Sequence, residues 1–244
     1  MLLRVWLRGQ ALLFLLTVLL SLVVLAAQEP AVLPAQSAEG GYRTVVLDPG
    51  HGGADSGARG GTGLVEKDLV LRIARNIVPV LEREGWRVVL TRQGDELRSF
   101  DERAAVANAE PGAVFLTLHI GSTGALGTAR VYSFAGFGSE PKDDSPRAPG
   151  LLPWERAQQP YLESSRRLAA LLQRELARRL PGSPETPASA AVRQLRSVAA
   201  PAVALELASV AVNDARALEA LAPALAEAIA RALATFRVTP EQAP

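Results

Sequence analysis

Apolar and polar positions fall into two regimes along the chain. Residues 11–27 (ALLFLLTVLLSLVVLAA) form an uncharged apolar run behind Arg4 and Arg8. The run has no polar face, so a helix lying on a core is a poor reading of it. Residues 28–41 are rich in Pro, Ala, Gln, Ser and Gly and read as a linker. After that, short β-branched runs alternate with segments of helical period. Residues 44–47 (TVVL) predict a buried strand that runs into a glycine-rich loop over 48–63. Leu69, Ile73, Ile77 and Leu81 recur at helical spacing, which predicts a helix over 66–84 stopped by Gly85 and bent in its last turns by Pro79. Residues 87–91 predict a second strand. Ser99 and Glu102 have the spacing of a capping box and open a short helix to about Asn108. Residues 113–118 (AVFLTL) predict a third strand that ends at His119, and the weaker alternation of 128–134 predicts a fourth.

Residues 135–160, rich in Gly, Pro and charge, read as a long surface loop. An amphipathic helix is expected over 161–180, stopped by Pro181 and Gly182, then strands over 194–198 and 202–207. Asn213 is a candidate cap for a helical tail reaching about Phe236. Strands alternating with helices imply one α/β domain over 42–237, a mostly parallel twisted sheet flanked by helices. Residues 238–244 are a tail, and no internal repeat is present.

Composition narrows the chemistry. With 48% apolar and 21% charged residues the chain is ordinary globular material. A net charge of +1 gives no basic field, and no basic run with interleaved aromatics is present, so a nucleic-acid partner is excluded. With no cysteine, disulfides, thiol nucleophiles and thiolate metal sites are excluded, and a transition metal would have to take His, Asp or Glu. A basic start, an apolar middle and small residues at Ala26 and Ala27 describe a secretory signal; the alternative is an uncleaved helical anchor at the short edge of membrane-spanning length. Both place the domain outside the cytoplasm, in the periplasm or cell envelope, with membrane contact only through residues 1–27 if they are retained.

The only two histidines, His51 and His119, both fall at strand ends. In parallel α/β sheets, ligands gather at the carboxyl ends of strands. Glu66, at the start of the first helix, returns toward the same edge; alone it would be an ordinary first-turn acid favoured by the helix dipole. Glu206 interrupts the apolar strand VALELAS, where burial of a carboxylate costs several kcal/mol unless it is paired or metal-linked. The loop DPGHGG lacks the spacing of phosphate-binding glycine motifs, so its glycines serve a sharp turn around His51.

Four segments together resemble the zinc-dependent N-acetylmuramoyl-L-alanine amidases of bacterial cell walls, third amidase family. VVLDPGHGGADSGARG resembles the opening motif, GLVEKDLVLRIA the second, and LTRQGDELRSFDERAAVAN the middle segment. VFLTLHIGS is similar to the segment with the second histidine, and APAVALELASVAVND to the closing motif with the catalytic glutamate. The likeness runs from about Arg43 to about Ala234. It implies one Zn2+ bound by His51, Glu66 and His119, with Glu206 as the catalytic carboxylate. The implied reaction is hydrolysis of the amide between N-acetylmuramic acid and L-alanine of the peptidoglycan stem peptide, by zinc-activated water with a glutamate general base.

The sequence departs from that family at three places. Ile120 and Gly121 stand where a small residue and Asn are usual, so a narrowed cleft and a lost hydrogen bond are expected. Leu207, Ala208 and Ser209 stand for the usual Leu-Gly-Phe, which alters the floor of the groove. Residues 138–159 look like an insertion: either a solvated loop, or a regulatory plug over the cleft that an activator protein would displace. Trp154 and Tyr161 could stack on sugar rings or anchor the following helix. These departures keep two alternatives open beside the active amidase. One is a catalytically weak or inactive amidase-fold module that binds peptidoglycan or regulates other wall hydrolases; the other is a zinc hydrolase that cuts a different amide.

Overall fold

The computed structural model describes residues 41–61, 63–137, 152–211 and 215–238. The strands are β1 (Thr44–Pro49), β2 (Arg87–Leu90), β3 (Ala113–Gly121), β4 (Ala129–Phe134), β5 (Ala188–Ala190) and β6 (Ala202–Ala208). The helices are α1 (Glu66–Arg83), α2 (Phe100–Asn108), α3 (Leu162–Arg179), the turn α4 (Arg193–Arg196), α5 (Ala215–Glu219) and α6 (Ala222–Val238). The strands form one sheet in the order β2-β1-β3-β6-β4-β5. The sheet is α/β and parallel except at one junction, where β4 runs antiparallel to β6.

The two faces of the sheet are covered unequally, and this creates the site. One face carries Val45, Leu47, Val114, Leu116, Leu118, Ile120, Val203, Leu205, Leu207, Ala129 and Val131. It is sealed by the long helices α1, α3 and α6, whose Leu69, Ile73, Ile77, Leu168, Leu172, Leu225 and Ile229 are all buried. Each such side chain removed from water contributes about 1.5–3 kcal/mol. The opposite face carries Val46, Phe115, Ala202, Ala204 and Phe134, covered by the nine residues of α2 and the four of α4. Because side chains alternate along a strand, the same face continues past this small cluster through Asp48, Thr117, His119 and Glu206. Among the described residues no long helix lies over that end.

Several expectations are met and several corrected. Helix α1 keeps its apolar stripe and runs through Pro79 to Arg83. The capping box is formed: the Glu102 amide donates to Ser99 Oγ at 3.2 Å, and the Ser99 amide donates to Glu102 Oε2 at 2.7 Å. The strand expected over 194–198 is instead the turn α4. Leu195 and Val198, both fully buried, are three residues apart, an interval that puts them on one side of a helical turn and on opposite sides of a strand. β3 runs on to Gly121, so His119 lies within the strand rather than after it. β5 was not expected, because Ala-Ser-Ala carries no β-branched or aromatic residue. The tail is two helices rather than one, and the Asn213 cap falls outside the described residues. Among the described residues no helix is long and apolar enough to cross a membrane, and the apolar run 11–27 lies outside them.

Candidate metal centre

β1 ends at Pro49, and the chain turns at once so that His51 faces back over the sheet edge. His51 has φ 64, a left-handed conformation rare outside glycine. Two buried arginines hold the loop in this form by donating to its carbonyls. Arg103 Nη2 reaches His51 O at 2.6 Å, Arg92 Nε reaches Pro49 O at 2.8 Å, and Arg92 Nη2 reaches Gly50 O at 2.9 Å. The glycines give the room the loop needs. A Cβ on Gly50 would lie 2.8 Å from both ring nitrogens of His119, and one on Gly57 would lie 2.5 Å from Glu66 Oε2.

His51, Glu66 and His119 converge on one point. His51 Nε2 lies 3.1 Å from Glu66 Oε1, His119 Nδ1 lies 3.1 Å from the same oxygen, and the two ring nitrogens are 3.2 Å apart. This is a triangle of possible ligand atoms. Glu66 enters from the first turn of α1 and is fixed by main-chain donors: Ile120 N–H to Oε1 at 2.8 Å and Ala58 N–H to Oε2 at 2.7 Å. Burial opposes its ionisation, but the adjacent imidazoles of His119 and His51 and the main-chain hydrogen bonds from Ala58 and Ile120 outweigh that and hold its carboxyl well below the usual range. Burial likewise lowers the basicity of His51, yet the neighbouring Glu66 carboxylate, and after it that of Asp55, raises it overall. The site therefore attracts positive charge.

The residues behind the triangle fix which ring nitrogens face inward. His51 Nδ1 lies 2.8 Å from Asp55 Oδ2, so its N–H donates outward and Nε2 presents a lone pair. His119 Nε2 lies 3.2 Å from Thr117 Oγ1, whose hydroxyl donates to Asp48 Oδ2 at 2.7 Å. That chain keeps the proton on Nε2 and leaves Nδ1 free. The Gln194 amide lies 3.1 Å from the same Nε2 and can accept from it with its oxygen turned inward. Asp48 is fully buried and is neutralised by Arg103 Nη1 at 2.6 Å and hydrogen-bonded by Thr91.

Three acceptor atoms facing one another with no donor between them fit a cation. Edges of 3.1–3.2 Å match a tetrahedral sphere with ligand bonds of about 2.0–2.1 Å, whose edges are about 3.3 Å. Two imidazoles and a carboxylate suit a divalent transition metal and leave a coordination position open.

The triangle opens into a cavity of about 530 Å³ whose lining includes Ser122, Thr123, Tyr132, Gln194 and Glu206. Glu206 sits opposite His119 in the β3–β6 register, on the same face. Its side chain is exposed although its strand neighbours are buried, so the burial argument that singled it out does not apply to it. That argument describes Asp48 instead, a carboxylate sealed in the strand TVVLDP and paired with Arg103. Arg92, Arg103, Thr117 and Gln194 also escaped sequence reasoning, because their partners are distant in sequence, and so did Asp55, although its partner His51 is only four residues away. Ile120 borders the cavity, but its side chain is 2% exposed and packed in the core; its amide is what serves Glu66. Gly121 leaves space for Glu206, since a Cβ there would lie 2.6 Å from Glu206 Oε1. Ser209 is buried and does not line the cavity.

Of the expected insertion, residues 138–151 lie outside the described residues. Its remainder packs beside α3: Gln158 is fully buried and donates to Ser165 Oγ at 3.0 Å and Ala200 O at 3.2 Å. Trp154 is exposed and donates to Asp101 Oδ1 at 3.2 Å, and neither it nor Tyr161 lines the cavity.

The family model described as N-acetylmuramoyl-L-alanine amidase matches residues 45–235. The amidase AmiA of Escherichia coli is 42% identical over 86 residues, covering 35% of this chain and 30% of AmiA, so the matched stretch spans under a third of that relative. The amidase AmiC2 of Nostoc punctiforme superposes with a TM-score of 0.60 at 25% identity, covering 80% of this chain and 96% of its own. The CwlD amidase of Clostridioides difficile, solved in complex with the GerS lipoprotein, superposes with a TM-score of 0.58 at 20% identity over 80% of this chain and 98% of its own, a likeness of fold alone. With the family pattern matched across nearly the whole described domain, this chain belongs to the N-acetylmuramoyl-L-alanine amidase family.

Proposed function

We propose that this protein hydrolyses the amide between N-acetylmuramic acid and L-alanine of the peptidoglycan stem peptide, with one zinc ion held by His51, Glu66 and His119 and with Glu206 as general base. The observation that carries the reading is the triangle of donor atoms with Glu206 on the neighbouring strand. When bound, zinc supplies Lewis-acid activation of water and of the scissile carbonyl. Glu206, exposed to the cavity and free of any ligand role, takes the proton from the attacking water and delivers it to the departing alanine amine. Asp55 and the Asp48–Thr117 pair hold the two imidazoles in their ligating tautomers. A positioned base of this kind contributes about 10²–10⁴-fold to the rate.

The protein acts outside the cytoplasm in this reading, with residues 1–27 as a signal or anchor and 28–41 as a linker. A protein activator would act on residues 138–159 in this reading, and deleting 138–151 should then raise basal activity. The reaction itself is tested by digesting purified peptidoglycan and identifying the products by mass. Intact stem peptides with a free L-alanine amine are expected. Cleavage at another amide would replace the assignment with a different hydrolase, and binding without cleavage would leave a wall-binding module.

A further inference from the structure

The sheet register aligns three chemically distinct side chains in one row. His119 on β3 pairs with Glu206 on β6, and Glu206 pairs with Arg130 on β4. Alternation puts all three on the open face, because Ala129 and Val131, on either side of Arg130, are buried with Leu205 and Leu207 in the core behind the sheet. Neighbouring strands lie about 4.8 Å apart, so the row runs from metal ligand to carboxylate to cation. Arg130 is exposed, and no hydrogen bond or ion pair ties it to another residue among those described. It does not close onto Glu206 within ion-pair distance, despite standing directly opposite. Tyr132, two residues along β4, is half-buried, lines the cavity and feels the charges of both Glu206 and Arg130.

We propose that Arg130 is a specificity-determining residue that binds a free carboxylate on the peptide side of the scissile bond. The inference rests on the amidase reading for the direction of the substrate. The carbonyl lies at the metal triangle, and Glu206 delivers its proton to the leaving amine, so the amine-bearing peptide extends away from His119 past Glu206. The next group in the row is Arg130. The second residue of a stem peptide is D-glutamate, joined through its γ-carboxyl, so its α-carboxyl is either a free anion or, in amidated walls, a neutral carboxamide. In an extended chain that group lies roughly 7 Å from the scissile nitrogen, at about 3.3–3.6 Å per residue. This is one strand spacing plus part of an arginine side chain. The planar guanidinium takes a carboxylate through two parallel N–H donors and gains no charge from the carboxamide.

The test compares N-acetylmuramoyl-L-Ala-D-Glu with N-acetylmuramoyl-L-Ala-D-isoglutamine, which differ only in that group. The wild type should favour the acid in kcat/KM by about three- to tenfold, the range of a partly solvated charged pair. Arg130→Gln should bring the ratio close to one, and Arg130→Lys should keep part of it. The same acid-to-amide ratio in wild type and Arg130→Gln, or a wild-type preference for the amide, overturns the proposal. The dissociation constants of both compounds, measured on the same proteins, separate it from the amidase reading. Acid-selective binding that disappears in Arg130→Gln without any cleavage upholds Arg130 and overturns the amidase; equal binding of both compounds by wild type overturns Arg130.

Discussion

The side chains that would touch a metal are few, but those that aim them are many and mostly buried. Asp48 is the hub: one oxygen meets Arg103 and Thr91, and the other accepts from Thr117, which in turn faces His119. Thr117→Val keeps the shape and removes the hydroxyl, leaving His119 Nε2 with only Gln194. Zinc affinity measured by competition with a chromophoric chelator should fall about tenfold or more, the usual effect of losing a group behind a metal ligand, with little change in fold. An unchanged affinity would show that Thr117 does not orient His119. The sequence made the ligand candidates legible because histidine is scarce and both copies fall near the carboxyl ends of apolar strands. It left Asp48, Thr117 and the two arginines obscure because each works through a partner 43–69 residues away, a distance no local pattern encodes.

At the scale of elements, long periodic segments were legible and short ones were not. The stripe of Leu69, Ile73, Ile77 and Leu81 gave α1, and the β-branched run TVVL gave β1. The turn α4, four residues long, gave itself away only through Leu195 and Val198 being buried together. Strand β5 had no compositional signal at all. Helix α2 matters because it delivers Arg103 from its first turns to Asp48 and to the His51 carbonyl. Its capping box is therefore coupled to the site. Ser99→Ala should cost about 1 kcal/mol in denaturant unfolding and should loosen the His51 loop enough to weaken metal binding by the same chelator assay. Lost stability with unaltered metal affinity would uncouple the cap from the loop.

At the scale of the whole molecule, the unequal covering of the two sheet faces is what leaves an open site. Three long helices close one face, while among the described residues the other is closed by the short α2 and α4 and ends in the polar row at the carboxyl edge. A metal at the triangle would add a further tie between the loop after β1, the start of α1 and the end of β3, which already share hydrogen bonds through Glu66, Ala58 and Ile120. Removing it with a chelator should lower the melting temperature, and added zinc should restore it in a concentration-dependent way, because a ligand bound only by the folded state stabilises that state. A melting curve indifferent to both would mean that these three segments do not share an ion.

The most direct measurement is stem-peptide release from purified peptidoglycan by wild type and Glu206→Gln side by side, with the zinc content of each protein determined on the same sample. Both proteins should hold one zinc, and only the wild type should release peptides bearing a free L-alanine amine. A Glu206→Gln protein that retains zinc and cuts at the wild-type rate would contradict the assignment of Glu206 as the base, and a wild type that binds no zinc yet releases the peptides would contradict the metal centre itself.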